Sequence, residues 1–315
     1  MTQDIDIKIN GLSEIDAQEV VKSLIELLKK FNFLDLRRFK SIIICDDVNK
    51  EIGMLLGEEN KFLANRYNTN SDLYAKVITL IDSDNIDIVL VVNNSYVLNL
   101  IKKSHCTQDY KNALHVFHHE LSHVHDFNNK IDIFKKDMLT EHYKGIDEIT
   151  YPIAEICWSE YIANFMSSSS TTKSSFPKTM ANSLADLVSI TNQSVSTNLM
   201  VFKVNKNRID IIEDIIFQVE KVCKTASYLL GYMHGLNISL EEISDEALFQ
   251  VEKSNFRRTW EDMSYELTSI RNVYPLGWEK INIYENLSRC IFNYFIEFGI
   301  LFTQDEKGDL FISVK

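Results

Sequence analysis

His119, Glu120 and His123 stand together as His119-Glu120-Leu121-Ser122-His123, inside a stretch from Leu114 to Phe127 that contains neither glycine nor proline. On a helix, positions four apart share one face, one turn from each other. Two imidazoles placed so can each aim a ring nitrogen at one ion about 2 Å away. Glu120 is turned by about 100° from His119, which sets its carboxylate beside such an ion rather than on it. From there it can hold and deprotonate a water, the chemistry of a zinc-dependent hydrolase. With eight histidines in 315 residues, this spacing arises by chance on the order of one or two times in a hundred, so the surrounding sequence has to decide.

Two histidines do not complete a catalytic zinc site, which takes three protein ligands and keeps one position for water. The best candidate for the third is Glu160, in Trp158-Ser159-Glu160-Tyr161-Ile162-Ala163-Asn164-Phe165, on another predicted helix. A lone acid in such an apolar setting is costly to bury without a cation or hydrogen-bond donors. Asn164, one turn later, could orient a ligand histidine from behind. Asp126 competes as third ligand, but its side chain is short and one turn further away, so a supporting or surface role fits it better. His115 extends the histidine stripe backward and reads as core packing or a cleft wall. His118 and His125 fall on other faces and read as structural. Cys157 precedes Glu160 by one turn, where an inhibitory thiolate contact is conceivable.

Charge that develops on a carbonyl oxygen under attack needs a donor nearby. The place to look is Tyr228-Leu229-Leu230-Gly231-Tyr232-Met233-His234-Gly235, where Gly231 and Gly235 form a small-xxx-small face that permits close helix approach. Tyr232 and His234, with Tyr228, are the candidate catalytic donors; buried tyrosines in close packing are the competing reading. Tyr274-Pro275-Leu276-Gly277-Trp278 reads as a turn between helices anchored by its tryptophan.

An HExxH motif followed on a later helix by Glu, with Asn four residues on, resembles the gluzincin metallopeptidases. The pair His119-Glu120-Leu121-Ser122-His123 and Glu160-Tyr161-Ile162-Ala163-Asn164 is most similar to their ImmA/IrrE-type branch, where Glu-x-x-Ala-Asn is typical. The resemblance implies His119, His123 and Glu160 as zinc ligands, Glu120 as general base, and a zincin-like core with a sheet above the active helix. It covers about 60 of 315 residues. The expected reaction is hydrolysis of peptide bonds in a peptide or protein substrate. Two rivals come from other classes: a catalytically silent zincin-fold binding or sensory protein, and a metal-free interaction scaffold. Retention of Glu120 favours the enzyme, since a structural site has no need of a base.

The elements that must position these groups follow from hydrophobic period. Residues 14–31 and 48–66 read as amphipathic helices and 41–45 as a buried strand. Residues 77–81 and 86–92 read as a β-hairpin turning at Asp82-Ser83-Asp84-Asn85. From there helices are predicted at 108–127, 153–167, 179–200, 208–236, 241–254, 257–271 and 279–299, then a terminal hairpin from 300 to 314. Ser167 to Ser175 reads as an exposed, mobile loop. With three prolines and nine glycines, long helices should dominate. The fold class is therefore α+β: a mixed part over 1–105 with the hairpin, and a part over 106–315 holding the zinc-site helices and a mainly helical remainder.

A net charge of −12 argues against nucleic acid as partner, since phosphate binding needs clustered Lys and Arg. Lys29-Lys30 and Arg37-Arg38 read as solvated helix ends. The five cysteines are odd in number and widely spaced, without a CxxC, so neither a disulfide framework nor a zinc knuckle is expected. The acidic N-terminus lacks a signal-peptide core, and no apolar run approaches a membrane span. A reducing cytoplasm is the expected location, with no membrane partner; oligomeric state has no signature in the sequence.

Overall fold

The computed structural model describes residues 5–57, 74–82, 85–101, 107–134, 143–204, 209–305 and 310–314. The fold is α+β, mainly helical with a small sheet, as the periodicity predicts. Two compact units comprise Met1–Asn129 and Lys130–Lys315. Among the described residues no helix is long and apolar enough to cross a membrane.

The first unit is built on a four-stranded sheet of β1 (Asp6–Ile9), β2 (Phe39–Cys45), β3 (Ala75–Asp82) and β4 (Asn85–Asn93), in the order β1-β2-β4-β3. β1, β2 and β4 run parallel; β3 pairs antiparallel with β4, from Ala75 opposite Val92 to Asp82 opposite Asn85, and forms the outer strand. The expected hairpin is thus present. β1 went unforeseen, being four residues long with only Ile7 and Ile9 to bury. α1 (Glu14–Lys30) starts on Ser13, whose side chain accepts the Asp16 N–H.

Alternation along the strands sorts the apolar residues onto two faces. Ile43, Cys45, Ile78, Val89 and Val91 pack under Val48, Ile52 and Leu56 of α2 (Val48–Leu56). α2 is capped by Asp47, whose Oδ1 accepts the Lys50 N–H at 2.9 Å. The helix expected over 48–66 stops at Leu56, because Gly57 turns to φ +67°, a conformation that favours glycine; the rest of that span lies outside the described residues. The opposite face carries Ala75, Leu90 and Val92, which meet Ala113, Val116 and Phe117 across a small cavity. α3 (Asn94–Val97) follows β4 directly, and those three facing residues belong to α4 (Gln108–Phe134). Lys29 and Lys30 do close α1. Arg37 and Arg38 instead sit in a loop: Arg37 grips Asp35 at 2.6 Å, and Arg38 donates its N–H to Asn128 Oδ1 at 3.1 Å.

The second unit is helical: α5 (Asp147–Ser167), α6 (Phe176–Val204), α7 (Ile209–Leu236), α8 (Asp245–Lys253), α9 (Arg257–Val273) and α10 (Glu285–Glu297), closed by the hairpin β5 (Ile300–Gln304) and β6 (Leu310–Val314). Trp158, Tyr161 and Trp278 sit in its core. Trp278 rests 5.0 Å from Trp158 and 5.6 Å from Phe134 between ring centroids, which fixes the turn after α9. Part of the serine tract departs from expectation. Ser167 ends α5 at 0% exposure and Ser168 is 4% exposed, because small hydroxyl residues there pack rather than loop.

α5 and α7 approach to backbone distance at Gly231 and Gly235. A Cβ on Gly231 would stand 2.5 Å from the Tyr161 carbonyl oxygen and 2.9 Å from Asn164 Cβ; one on Gly235 would meet Ser168 Oγ at 2.4 Å. Alanine gains about 1 kcal/mol of helix propensity over glycine, but backbone cannot yield as a side chain can. Gly231→Ala should therefore destabilise the protein by about 1–3 kcal/mol in urea unfolding. Equal or greater stability would show that the two helices have room between them.

Candidate metal centre

α4 begins where Thr107 Oγ1 accepts the Tyr110 N–H at 3.3 Å. Its buried stripe of Ala113, Phe117, Leu121 and Val124 seats the helix. Held this way, His119 and His123 bring their Nε2 atoms to 3.1 Å, with the rings perpendicular at 89°. Two nitrogens on one tetrahedral zinc at about 2.0–2.1 Å stand about 3.3 Å apart, so the pair is spaced for a shared ion. Phe127, one turn on, lies against His123 with centroids 6.3 Å apart.

Glu120, 7% exposed, leaves α4 in another direction. Its Oε2 accepts the backbone N–H of Val77 at 3.1 Å. β3 is the outer strand among the described residues, and the carboxylate satisfies this outward N–H. Tyr96 lines the same small cavity as Glu120 and donates its hydroxyl to the Asn112 carbonyl at 2.7 Å. Burial pushes the Tyr96 phenol well above its usual range, and the charges of Tyr74 and Glu120 add to this.

Glu160 lies on α5 at 5% exposure, amid apolar neighbours. Its Oε1 is 3.4 Å from Nζ of Lys224 on α7. The Glu160 charge raises the Lys224 ammonium above the usual lysine range, against the opposing effect of burial. The Tyr228 ring, one turn along α7, lies 5.7 Å from that ammonium. Asn164 is fully buried, and neither atom of its amide has a hydrogen-bond partner among the described residues.

One ligand atom from each of His119, His123 and Glu160 falls within 4.8 Å of the others, so the three could hold a metal ion. Neither Asp126 nor Cys157 joins that group. No family model, curated protein or solved structure matches this chain. The donor set is two imidazoles and a carboxylate, a combination that would suit zinc. The Asn164 amide, a turn beyond Glu160, is a buried polar group whose bonding the described residues do not complete.

The remaining candidates are placed as follows. Tyr232 is buried at 3% exposure. His234 joins a network within the helical unit: Nδ1 lies 2.8 Å from the Tyr161 hydroxyl and Nε2 3.3 Å from Ser264 Oγ, while Arg271 donates to Tyr161 at 3.1 Å. Burial and the Arg271 charge press His234 down to about 4. Burial pushes the Cys157 thiol up to about 12, which keeps it protonated rather than a thiolate. Cys45, Cys157, Cys223 and Cys290 are free and buried, while Cys106 lies outside the described residues. His125 Nδ1 accepts the Asp35 N–H at 2.8 Å. His115 and Asp126 are both buried. Sequence reasoning missed the Val77 N–H, Tyr96 and Lys224; the only signal for Lys224 was its place three residues before the Ser227-Tyr228 turn of the glycine-bearing helix.

His118 stacks on Phe31 at 4.1 Å, and burial lowers its pKa to about 4. The unfolded chain takes up this proton near pH 6.5, so the contribution to stability is full above that value and is lost as pH falls from 6.5 toward 4. His118→Phe, which keeps a ring against Phe31, should lose about 1–2 kcal/mol less unfolding free energy between pH 7 and pH 5 than the native protein does. Urea titrations at the two pH values check this; identical losses would refute it.

Proposed function

We propose that this protein is a zinc-dependent hydrolase with a zincin-like core, acting on peptide bonds of a peptide or protein substrate. The observation that carries this is the gathering of His119, His123 and Glu160 within 4.8 Å while Glu120, in the same motif, is held aside by Val77. Three parallel strands with an antiparallel outer strand, over the helix that bears HExxH, support the core assignment. The likeness of the paired motifs to gluzincins points the same way.

His119 and His123 would hold the ion through neutral imidazole nitrogens, and Glu160 through its carboxylate. The zinc supplies Lewis-acid polarisation of a carbonyl and lowers the pKa of water. Glu120 does the proton work. The Val77 N–H fixes Oε2 at 3.1 Å and thereby the plane of the carboxylate, which leaves Oε1 to accept the proton of an attacking water. The same oxygen then returns that proton to the departing amine nitrogen, which a single well-placed carboxylate can do twice. The buried apolar stripe of α4 keeps the histidines at fixed spacing throughout the cycle.

Glu120→Gln should keep zinc near one equivalent and lower peptide hydrolysis by roughly 10²- to 10⁴-fold. His119→Ala should lose both metal and activity. Zinc content by elemental analysis and turnover of a quenched-fluorescence peptide library separate the outcomes. Undiminished turnover by E120Q would overturn the assignment of the base; stoichiometric zinc with no cleavage in the native protein would point to the silent binding role instead.

A further inference from the structure

We propose that Lys224 is a resident counter-cation of Glu160 that competes with the metal for this carboxylate and so holds metal affinity down. This rests on the metal reading above and extends it to regulation of the same site. Glu160 is 5% exposed on an apolar helix, where an unbalanced carboxylate is strongly disfavoured. Lys224 supplies the balance, with Nζ 3.4 Å from Oε1. Its base cannot drift away, because α7 touches α5 at backbone distance two turns further on, where Gly231 meets the Tyr161 carbonyl. The Tyr228 ring, 5.7 Å from the ammonium, helps retain it.

The same carboxylate is therefore claimed twice. A divalent ion at His119, His123 and Glu160 would stand close to a fixed positive charge, and like charges at such distances repel even where water screens them. Lysine is an unusual supporting partner for a metal-ligating carboxylate, since a neutral donor orients the group without opposing the ion. Glu220, one turn before Lys224 on α7, is a second acid whose charge acts on Lys224. Its spacing offers the ammonium another partner when Glu160 turns to a metal. Lys224 thus sets a standing positive charge against the incoming ion, and the site would respond to the free zinc level instead of holding the ion permanently.

The test is zinc affinity by chelator competition on the full chain. Lys224→Gln removes the charge and keeps a hydrogen-bond donor; Lys224→Arg keeps the charge. K224Q should bind zinc at least about tenfold more tightly, equivalent to roughly 1.4 kcal/mol of relieved repulsion, whereas K224R should stay within about twofold of the native protein. A protein that merely lost packing would not gain affinity, so the direction separates regulation from structural support. If K224Q does not fold, Lys224→Met is read in the same way. Zinc binding in the native protein with unchanged or weaker binding by the neutral variant would overturn this proposal alone. No zinc binding in the native protein, with His119→Ala indistinguishable from it, would overturn the metal reading and this proposal together.

Discussion

A carboxylate buried on an apolar helix is the constraint that organises much of this structure. Glu160 stands on α5 among Cys157, Trp158, Tyr161 and Ala163, each essentially inaccessible to water. Desolvating one carboxylate costs several kcal/mol unless cations or donors replace the water. The fold answers with Lys224, and a lysine can reach there only because α7 lies almost in contact with the α5 backbone. Gly231 and Gly235 make that contact possible. Two glycines in a helix, a weakness by propensity alone, are thus a condition for stabilising a charge more than one turn away.

A second constraint acts on the sheet. An outer strand exposes alternate N–H groups, and the outward N–H of Val77 in β3 is met by Glu120. One hydrogen bond then serves two ends: it satisfies an edge donor and it fixes a carboxylate next to the histidine pair. Ala75, Leu90, Val92, Ala113 and Phe117 line the small cavity beside Glu120 with apolar side chains. A hydrogen bond is stronger in a low-dielectric setting than in water. Placement of Glu120 therefore depends on residues of the sheet as much as on its own helix.

The difference between those two carboxylates also shows how far the sequence could be read. His119 and His123 were legible because their relation is local: one helical turn dictates it, and the uninterrupted flanks guarantee the helix. Glu160 was legible by type, as an acid in an apolar segment. The Val77 contact was not, since any residue but proline carries a backbone N–H and the sheet order that turns this one outward has no local signature. Lys224 was hidden for a related reason: its meaning arises from helix packing, of which Gly231 and Gly235 gave only the general sign. Composition misled at Ser167 and Ser168, where serine fills a tight contact, and the stop at Gly57 was lost inside a continuing apolar pattern. β1 escaped because four residues with two apolar side chains fall below any periodic signal.

Charge arithmetic links these groups into one design. Two neutral imidazoles, the carboxylates of Glu120 and Glu160, and the Lys224 ammonium sum to −1, from two negative charges and one positive. Lys224 stands against Glu160 at contact distance, whereas Glu120 meets a backbone N–H instead of a cation. Binding a divalent cation would bring the total to +1. That value favours the negative charge that builds on a carbonyl oxygen under attack, whereas without Lys224 the sum would be zero. On the proposed reading, the lysine that would oppose a metal in the resting site would favour the transition state in the working one. Weaker metal binding and stronger electrostatic assistance would follow from the same ammonium.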